Sequence, residues 1–264
     1  MKSLDDEYAN AVYIPGADTF VARWQSTAAV FRTGLSQVGR VELDLDYGDT
    51  DRQRFDLFAP RGSSKGLMVF VHGGYWLKFD KSYWSHLAQG AVEKGWHAAI
   101  PSYGLCPNVR IHQITDQIAQ ALKVIGARTA GPIALVGHSA GGHLVARMAV
   151  GELLPKNLHA RIAKVMPISP VADLRPMLNT KMNEYFRLSI ADAIAESPAL
   201  MDKPSCSVDI WVGGRERPAF IDQAKLLSEA WNAPLTLAPD KHHFDVIEAL
   251  SDPNSDMVTQ LLGS

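Results

Sequence analysis

Cysteine is scarce in this chain: 264 residues hold two, Cys106 and Cys206, and neither belongs to a C-x-x-C pair. That excludes a disulfide framework, and two isolated thiols suit a reducing compartment. The N-terminal stretch MKSLDDEYANAVYIPGAD has neither the basic start nor the apolar run of about 7–15 residues that marks a secretory signal, so the cytoplasm is the expected location. Long apolar runs are missing as well. Nothing approaches the ~18–20 residues of a membrane span, and no membrane partner is expected. Charge is balanced, with 26 basic and 28 acidic residues and no Lys/Arg run, which argues against nucleic acid as a partner. G-x-G-x-x-G and phosphate-loop patterns are absent, so nucleotide chemistry is not expected. His72, His86, His97, His112, His138 and His143 are scattered, without H-E-x-x-H or a carboxylate-rich cluster. No metal is expected on that basis.

What is present has the pattern of a globular α/β protein. Residues 17–33 place Phe20, Trp24, Thr27/Ala28 and Phe31 at helical spacing, the signature of an amphipathic helix lying on a core. VELDLDYG (41–48) alternates as a half-buried strand should, and RFDLFAP (54–60) repeats the signal after a polar turn. Short apolar runs then alternate with helical segments. GLMVFVHG precedes 82–94, HAAIPS precedes 111–126, IALVGHS precedes 140–150, SVDIWVGG precedes 218–231, and APLTLAP precedes a C-terminal helix near 244–262. Such alternation predicts βαβ units, hence a mostly parallel, doubly wound sheet of about eight strands covered on both faces. The whole chain, 1–264, reads as a single α/β domain with a helical N-terminal extension over 1–40. A further apolar run, KVMPIS (164–169), leads into residues 171–203, which interrupt the alternation. Beyond a strand's carboxyl end, that insertion is expected to sit over the ligand crevice as a small cap or lid.

The chemistry-bearing motifs fall at the strand ends. Gly137-His138-Ser139-Ala140-Gly141 is a G-x-S-x-G sequence placed between an apolar strand and a helix rich in small residues. That context is the one a nucleophile elbow requires, with Ser139 projected above the sheet and the helix N-terminus aimed at developing negative charge. His72-Gly73-Gly74-Tyr75-Trp76 follows the strand LMVFV. Its glycines allow backbone N–H groups at Gly73, Gly74 and Tyr75 to approach a tetrahedral intermediate, completing an oxyanion hole with the N–H of Ala140. His72 reads as a loop organiser. In folds built around such an elbow the chain order is Ser, then acid, then His. The base therefore belongs to the pair His242-His243 after the last strand, and spacing does not choose between them. Glu216, just beyond VDIWVGG, is the best-placed acid. Asp222 falls on the following helix and Asp209 inside the strand.

From HGGYW onward, the sequence resembles the kynurenine formamidases (arylformamidases) and their bacterial esterase- and thioesterase-like relatives, within the α/β-hydrolase superfamily. The likeness runs through Tyr103-Gly104-Leu105-Cys106-Pro107, IHQITDQIAQAL, Ser169-Pro170, Asp173-Leu174-Arg175-Pro176, Ser197-Pro198, GGRERPAFIDQ and His243-Phe244-Asp245. It implies an α/β-hydrolase fold. It also implies that His243, before Phe-Asp, is the base. Two departures stand out: Glu216 replaces the family's usual Asp, and a Y-N-N-like stretch reads Tyr8-Ala9-Asn10. The implied reaction is hydrolysis of a small-molecule formamide or ester by Ser139, His243 and Glu216, which needs no metal and no organic cofactor. A general short-chain carboxylesterase is the alternative, and a catalytically silent binding protein a remote one. Tyr75, Trp76 and Tyr103 leave the ends of neighbouring strands and are expected to line an aromatic leaving-group pocket.

Overall fold

A strand buried on both faces has to be apolar at every position, and the central runs of this chain meet that demand. In a computed structural model describing residues 3–263, nine strands form one sheet. They are β1 (Val41–Asp46), β2 (Arg54–Phe58), β3 (Leu67–Val71), β4 (His97–Pro101), β5 (Ile133–His138), β6 (Ile162–Ile168), β7 (Ser207–Val208), β8 (Ile210–Gly213) and β9 (Leu235–Ala238). The order is β1-β2-β4-β3-β5-β6-β8-β9, with β7 beside β6. β1 pairs β2 and β2 pairs β4 antiparallel, and every other pairing is parallel. The difference from eight strands is small. Asp209 interrupts SVDIWVGG and its carboxylate pairs with Lys164, dividing one expected strand into β7 and β8.

Along β3, Leu67, Val69 and Val71 face one core layer while Met68 and Phe70 face the other, and β5 divides in the same way. This two-residue period is the geometry of a pleated strand between two covered faces. Among the described residues the helices are α1 (Leu4–Glu7), α2 (Ala17–Gln37), α3 (Gln89–Glu93), α4 (Ile111–Arg128), α5 (Ala140–Ala149), α6 (Lys156–His159), α7 (Asn183–Phe186), α8 (Ile190–Ala195), α9 (Pro218–Trp231) and α10 (Asp256–Leu262). α4, α5 and α9 pack on one face through Ile114, Ile118, Leu144 and Phe220. On the other face α2, α3 and α10 pack through Phe20, Trp24, Val92 and Leu261. The expected C-terminal helix is broken into a 3-10 turn over Val246–Ser251 and α10, because Pro253 cannot continue a helix. The stretch at 82–94 likewise winds as two 3-10 turns before the short α3.

Candidate active site

β3 and β5 are neighbours, and their register pairs Val71 with Gly137. The turns after both strands therefore leave the sheet side by side, with His72–Trp76 against Ser139. Ser139 stands between β5 and α5 with φ 56° and ψ −116°, a conformation costly for a residue with a side chain. It is held there by its N–H donating to the carbonyl of Ile168 at 2.8 Å and by its carbonyl accepting from His143 N at 3.0 Å. The flanking glycines are required sterically, since neither has positive φ. A Cβ on Gly141 would lie 1.9 Å from the Val71 carbonyl oxygen, and one on Gly137 would lie 2.2 Å from that of Gly141.

The turn after β3 is built from three consecutive residues in left-handed conformations: Gly74 (φ 113°), Tyr75 (56°) and Trp76 (57°). Leu77 and Lys78 donate back to the Gly74 carbonyl at 2.9 and 3.1 Å and close it. Gly73 lies so close to the elbow that a Cβ there would meet the His138 carbonyl at 2.8 Å and Ser139 Cβ at 3.0 Å. Among the described hydrogen bonds none is donated by the backbone of Gly73, Gly74 or Tyr75. Behind them, His72 Nδ1 donates to the Gly73 carbonyl at 2.7 Å, and the His72 ring stacks on Tyr103 at 4.3 Å. Burial pushes the His72 imidazole down to about 4, so it is neutral and holds the loop.

Glu216 lies three residues beyond β8. Its Oε1 accepts from Gly213 N at 2.8 Å and from Ser169 Oγ at 2.5 Å, and its Oε2 accepts from His243 Nδ1 at 2.5 Å. Both side chains are almost fully buried. The bond places the His243 proton on Nδ1 and leaves Nε2 as the ring's basic nitrogen. Asp222 is exposed on α9, and Asp209 is engaged by Lys164, so neither reaches the ring. His242 turns elsewhere. Its Nδ1 lies 3.1 Å from Phe244 N and 3.3 Å from Asp245 N, and its ring packs on Phe20.

Ser139 and His243 line one cavity of about 120 Å³, together with Gly73, Gly74 and Tyr75. Its apolar wall is Trp24, Phe79, Trp84 and Phe244. Trp24 packs 4.7 Å from Trp84 and 5.3 Å from Phe244, and Phe79 lies edge-on to Trp84 at 5.7 Å. Asn10, Ala11, Lys78 and His138 complete the lining.

Two expectations are corrected here. Trp76 and Tyr103 do not line the cavity. Trp76 is fully buried against His143 and Phe186, and Tyr103 is fully buried with its hydroxyl donating to the His72 carbonyl at 2.7 Å. Both rings support the turn from beneath, while Tyr75 alone of the three faces the site. The insertion 171–203 also supplies none of the described lining; Val171, Leu174, Met177 and Phe186 turn into the core instead. The cover comes from the N-terminal extension, whose Asn10 and Trp24 the sequence did not mark as site residues. Trp24 was visible as part of the apolar stripe of α2, but nothing local distinguishes a tryptophan facing a cavity from one facing a core. Asn10 had no local signal beyond its place in Tyr8-Ala9-Asn10. No group of three His, Cys, Asp or Glu side chains that could hold a metal occurs among the described residues.

A strained serine elbow, a glycine turn beside it and a buried His–Glu pair, all at strand ends of a doubly wound sheet, describe a serine hydrolase. Residues 68–207, more than half of the chain, match the alpha/beta hydrolase fold family, and the chain belongs to it. It is 26% identical over 235 residues to a kynurenine formamidase of Danio rerio, covering 83% of this chain and 80% of that one. It is 29% identical over 237 residues to a kynurenine formamidase of Drosophila melanogaster, covering 81% and 78%. A crystal structure from Silicibacter sp., of a protein described as a presumed thioesterase, superposes with a TM-score of 0.96 at 55% identity over 99% of both chains. No described helix is long and apolar enough to cross a membrane.

Proposed function

We propose that this enzyme hydrolyses small-acyl amides and esters of aromatic leaving groups, with N-formyl arylamines as the best-fitting substrates. Ser139 Oγ attacks the carbonyl carbon while His243 Nε2 takes its proton. Glu216 keeps the ring proton on Nδ1 and offsets the positive charge of the imidazolium. The oxyanion is received by backbone N–H groups at Gly73, Gly74, Tyr75 and Ala140. His243 then passes its proton to the departing nitrogen or oxygen as the C–N or C–O bond breaks, and water repeats the sequence on the acyl-enzyme.

The observation that carries this reading is the shape of the cavity. Ser139 and His243 meet inside a space of about 120 Å³ walled by Trp24, Phe79, Trp84 and Phe244, which suits a formyl or acetyl group joined to a flat ring. Likeness to kynurenine formamidases over about four-fifths of the chain adds support. The test is parallel kinetics on N-formylkynurenine and on p-nitrophenyl esters of increasing acyl length. Release of kynurenine together with cleavage of only the short esters is expected. Rapid hydrolysis of C8–C16 esters with no kynurenine released would replace the proposal with a general carboxylesterase or lipase. A second reading, small-acyl thioester hydrolysis, is favoured by the Silicibacter relative. A kcat/KM on an acetyl thioester well above that on N-formylkynurenine would select it.

A further inference from the structure

We infer that Asn10 makes this site selective for amides over matching esters, by accepting a hydrogen bond from the N–H of the leaving group; the inference rests on the amide-hydrolase reading above. Asn10 is 5% exposed and lines the cavity with Ser139 and His243. Its Nδ2 donates to the hydroxyl of Tyr75 at 2.7 Å, and that hydroxyl donates in turn to the carbonyl of Tyr8 at 2.5 Å. Burial raises the Tyr75 pKa, so the group is a phenol with one proton. With that proton directed to Tyr8, the oxygen can only accept from Asn10. The chain of donors therefore decides which end of the amide is which. The NH2 faces Tyr75, and Oδ1 is the free end.

Oδ1 is buried and has no partner among the described residues. A buried amide oxygen without a donor is unfavourable, and such groups persist where a ligand completes them. Other buried unpartnered atoms on the cavity wall are the indole N–H groups of Trp24 and Trp84, which can only donate, and His138 Nε2, whose role follows its tautomer. Asn10 Oδ1 is therefore the side-chain acceptor fixed by its surroundings.

The chemistry of the second half of acyl transfer calls for such an acceptor. For the C–N bond to break, the leaving nitrogen turns its lone pair toward the proton on His243 Nε2. The hydrogen it already carries must then point away from the imidazole, into the surrounding wall. An acceptor there stabilises the transition state of the amide, whereas an ester oxygen has no such hydrogen and gains nothing. Asn10 transfers no proton; it holds the N–H while His243 supplies the second one.

The test is kcat/KM for a matched pair, formanilide and phenyl formate corrected for its spontaneous hydrolysis, in wild type, Asn10→Ala and Tyr75→Phe. Asn10→Ala should lower the anilide value about 10-fold or more relative to the ester. Tyr75→Phe, which keeps Oδ1 but removes what orients it, should shift the ratio in the same direction by less. The ester rate of each variant reports whether the fold and the triad are intact. Equal losses on both substrates, or an unchanged ratio in Asn10→Ala, overturn the inference while leaving the amide-hydrolase reading standing. A wild type that cleaves the ester but neither formanilide nor N-formylkynurenine overturns that reading, and this inference with it.

Discussion

Residues 3–37 and residues 171–203 are both appended to the sheet and both carry helices, yet the first part of one is fastened to the protein by different forces from the other. The first part of the N-terminal extension is tied down by polar contacts. Tyr75 holds the Tyr8 carbonyl, Lys181 N donates to Asp5 Oδ1 at 2.7 Å, and Arg217 bonds Asp6 while its guanidinium lies 3.7 Å over the Tyr13 ring. The insertion is docked mainly by burial, with Val171, Ala172, Leu174, Met177, Phe186 and Ala193 at most 1% exposed. A buried Glu196 accepting from Thr115 and Arg147 fastens its end to α4 and α5. An inserted segment that buries its apolar residues in the core has few left to aim at a cavity. A segment held at its polar points can lay Asn10 across one, while Trp24 reaches the cavity from α2, which is docked by burial of Phe20 and Ala28. Covering the site thus fell to the N-terminal extension, where the insertion's position beyond a strand end had suggested otherwise.

The comparison has meaning only if Ser139 is the centre being covered, and the largest predicted effect tests that. Ser139→Ala should fold normally and lose on the order of 10⁴-fold or more in kcat, because the three groups act as a unit. A loss of only a few fold, with an unchanged circular dichroism spectrum, would remove Ser139 from the mechanism. His243→Ala should lose about as much, and Glu216→Gln should cost roughly 10²–10⁴-fold by leaving the imidazole without its orienting carboxylate. A pre-steady-state acylation assay distinguishes these losses from impaired product release.

The two segments can be set against each other directly. Trp24→Ala should lower kcat/KM for an aromatic substrate about 10–100-fold, since it removes one wall of the leaving-group site. Phe186→Ala should leave kcat/KM nearly unchanged while costing about 3–5 kcal/mol of stability. Melting curves and kinetics on both variants, taken well below the Tm, would reverse the comparison if the insertion variant proved the kinetic one.

Acid separates them by another route. His143 sits at the base of the insertion, where its Nε2 donates to the Glu196 carbonyl at 2.7 Å. Burial holds both His143 and His72 down at about 4. Each is neutral when folded, and its ordinary value when unfolded is near 6.5. Between those values the unfolded chain binds more protons, so stability is full above about pH 6.5 and falls as pH drops toward 4. Hydrogen exchange at pH 5 should show protection lost near 190–203 and around the turn at 72–76. Residues 3–16 contain no histidine and should respond less, whereas α2 packs on His86, which burial together with Arg23 and Arg32 also holds down at about 4, and should lose protection too. Uniform loss across all segments would count against this account. The smallest effect belongs to His242→Ala, which should change kcat/KM by only a few fold, since its ring supports the turn and packs on Phe20; a loss matching His243→Ala would reassign the base.

How much was legible in advance follows the range of each interaction. The apolar runs of β3 and β5, the G-x-S-x-G elbow, the glycine pair after β3 and the Ser–acid–His chain order are all written in short stretches, because pleat periodicity, steric close approach and turn conformation act between near neighbours. Those local signals determined the fold class and drew attention to Ser139, Glu216 and the pair His242-His243. Tertiary structure decided the rest. It brought His243 rather than His242 to the Glu216 carboxylate, buried Trp76 and Tyr103, turned the insertion into the core, and carried Asn10 to a tyrosine 65 residues away in sequence. Where a ring or an amide points is set by what packs around it, and for each of these side chains the deciding neighbours came from distant parts of the chain.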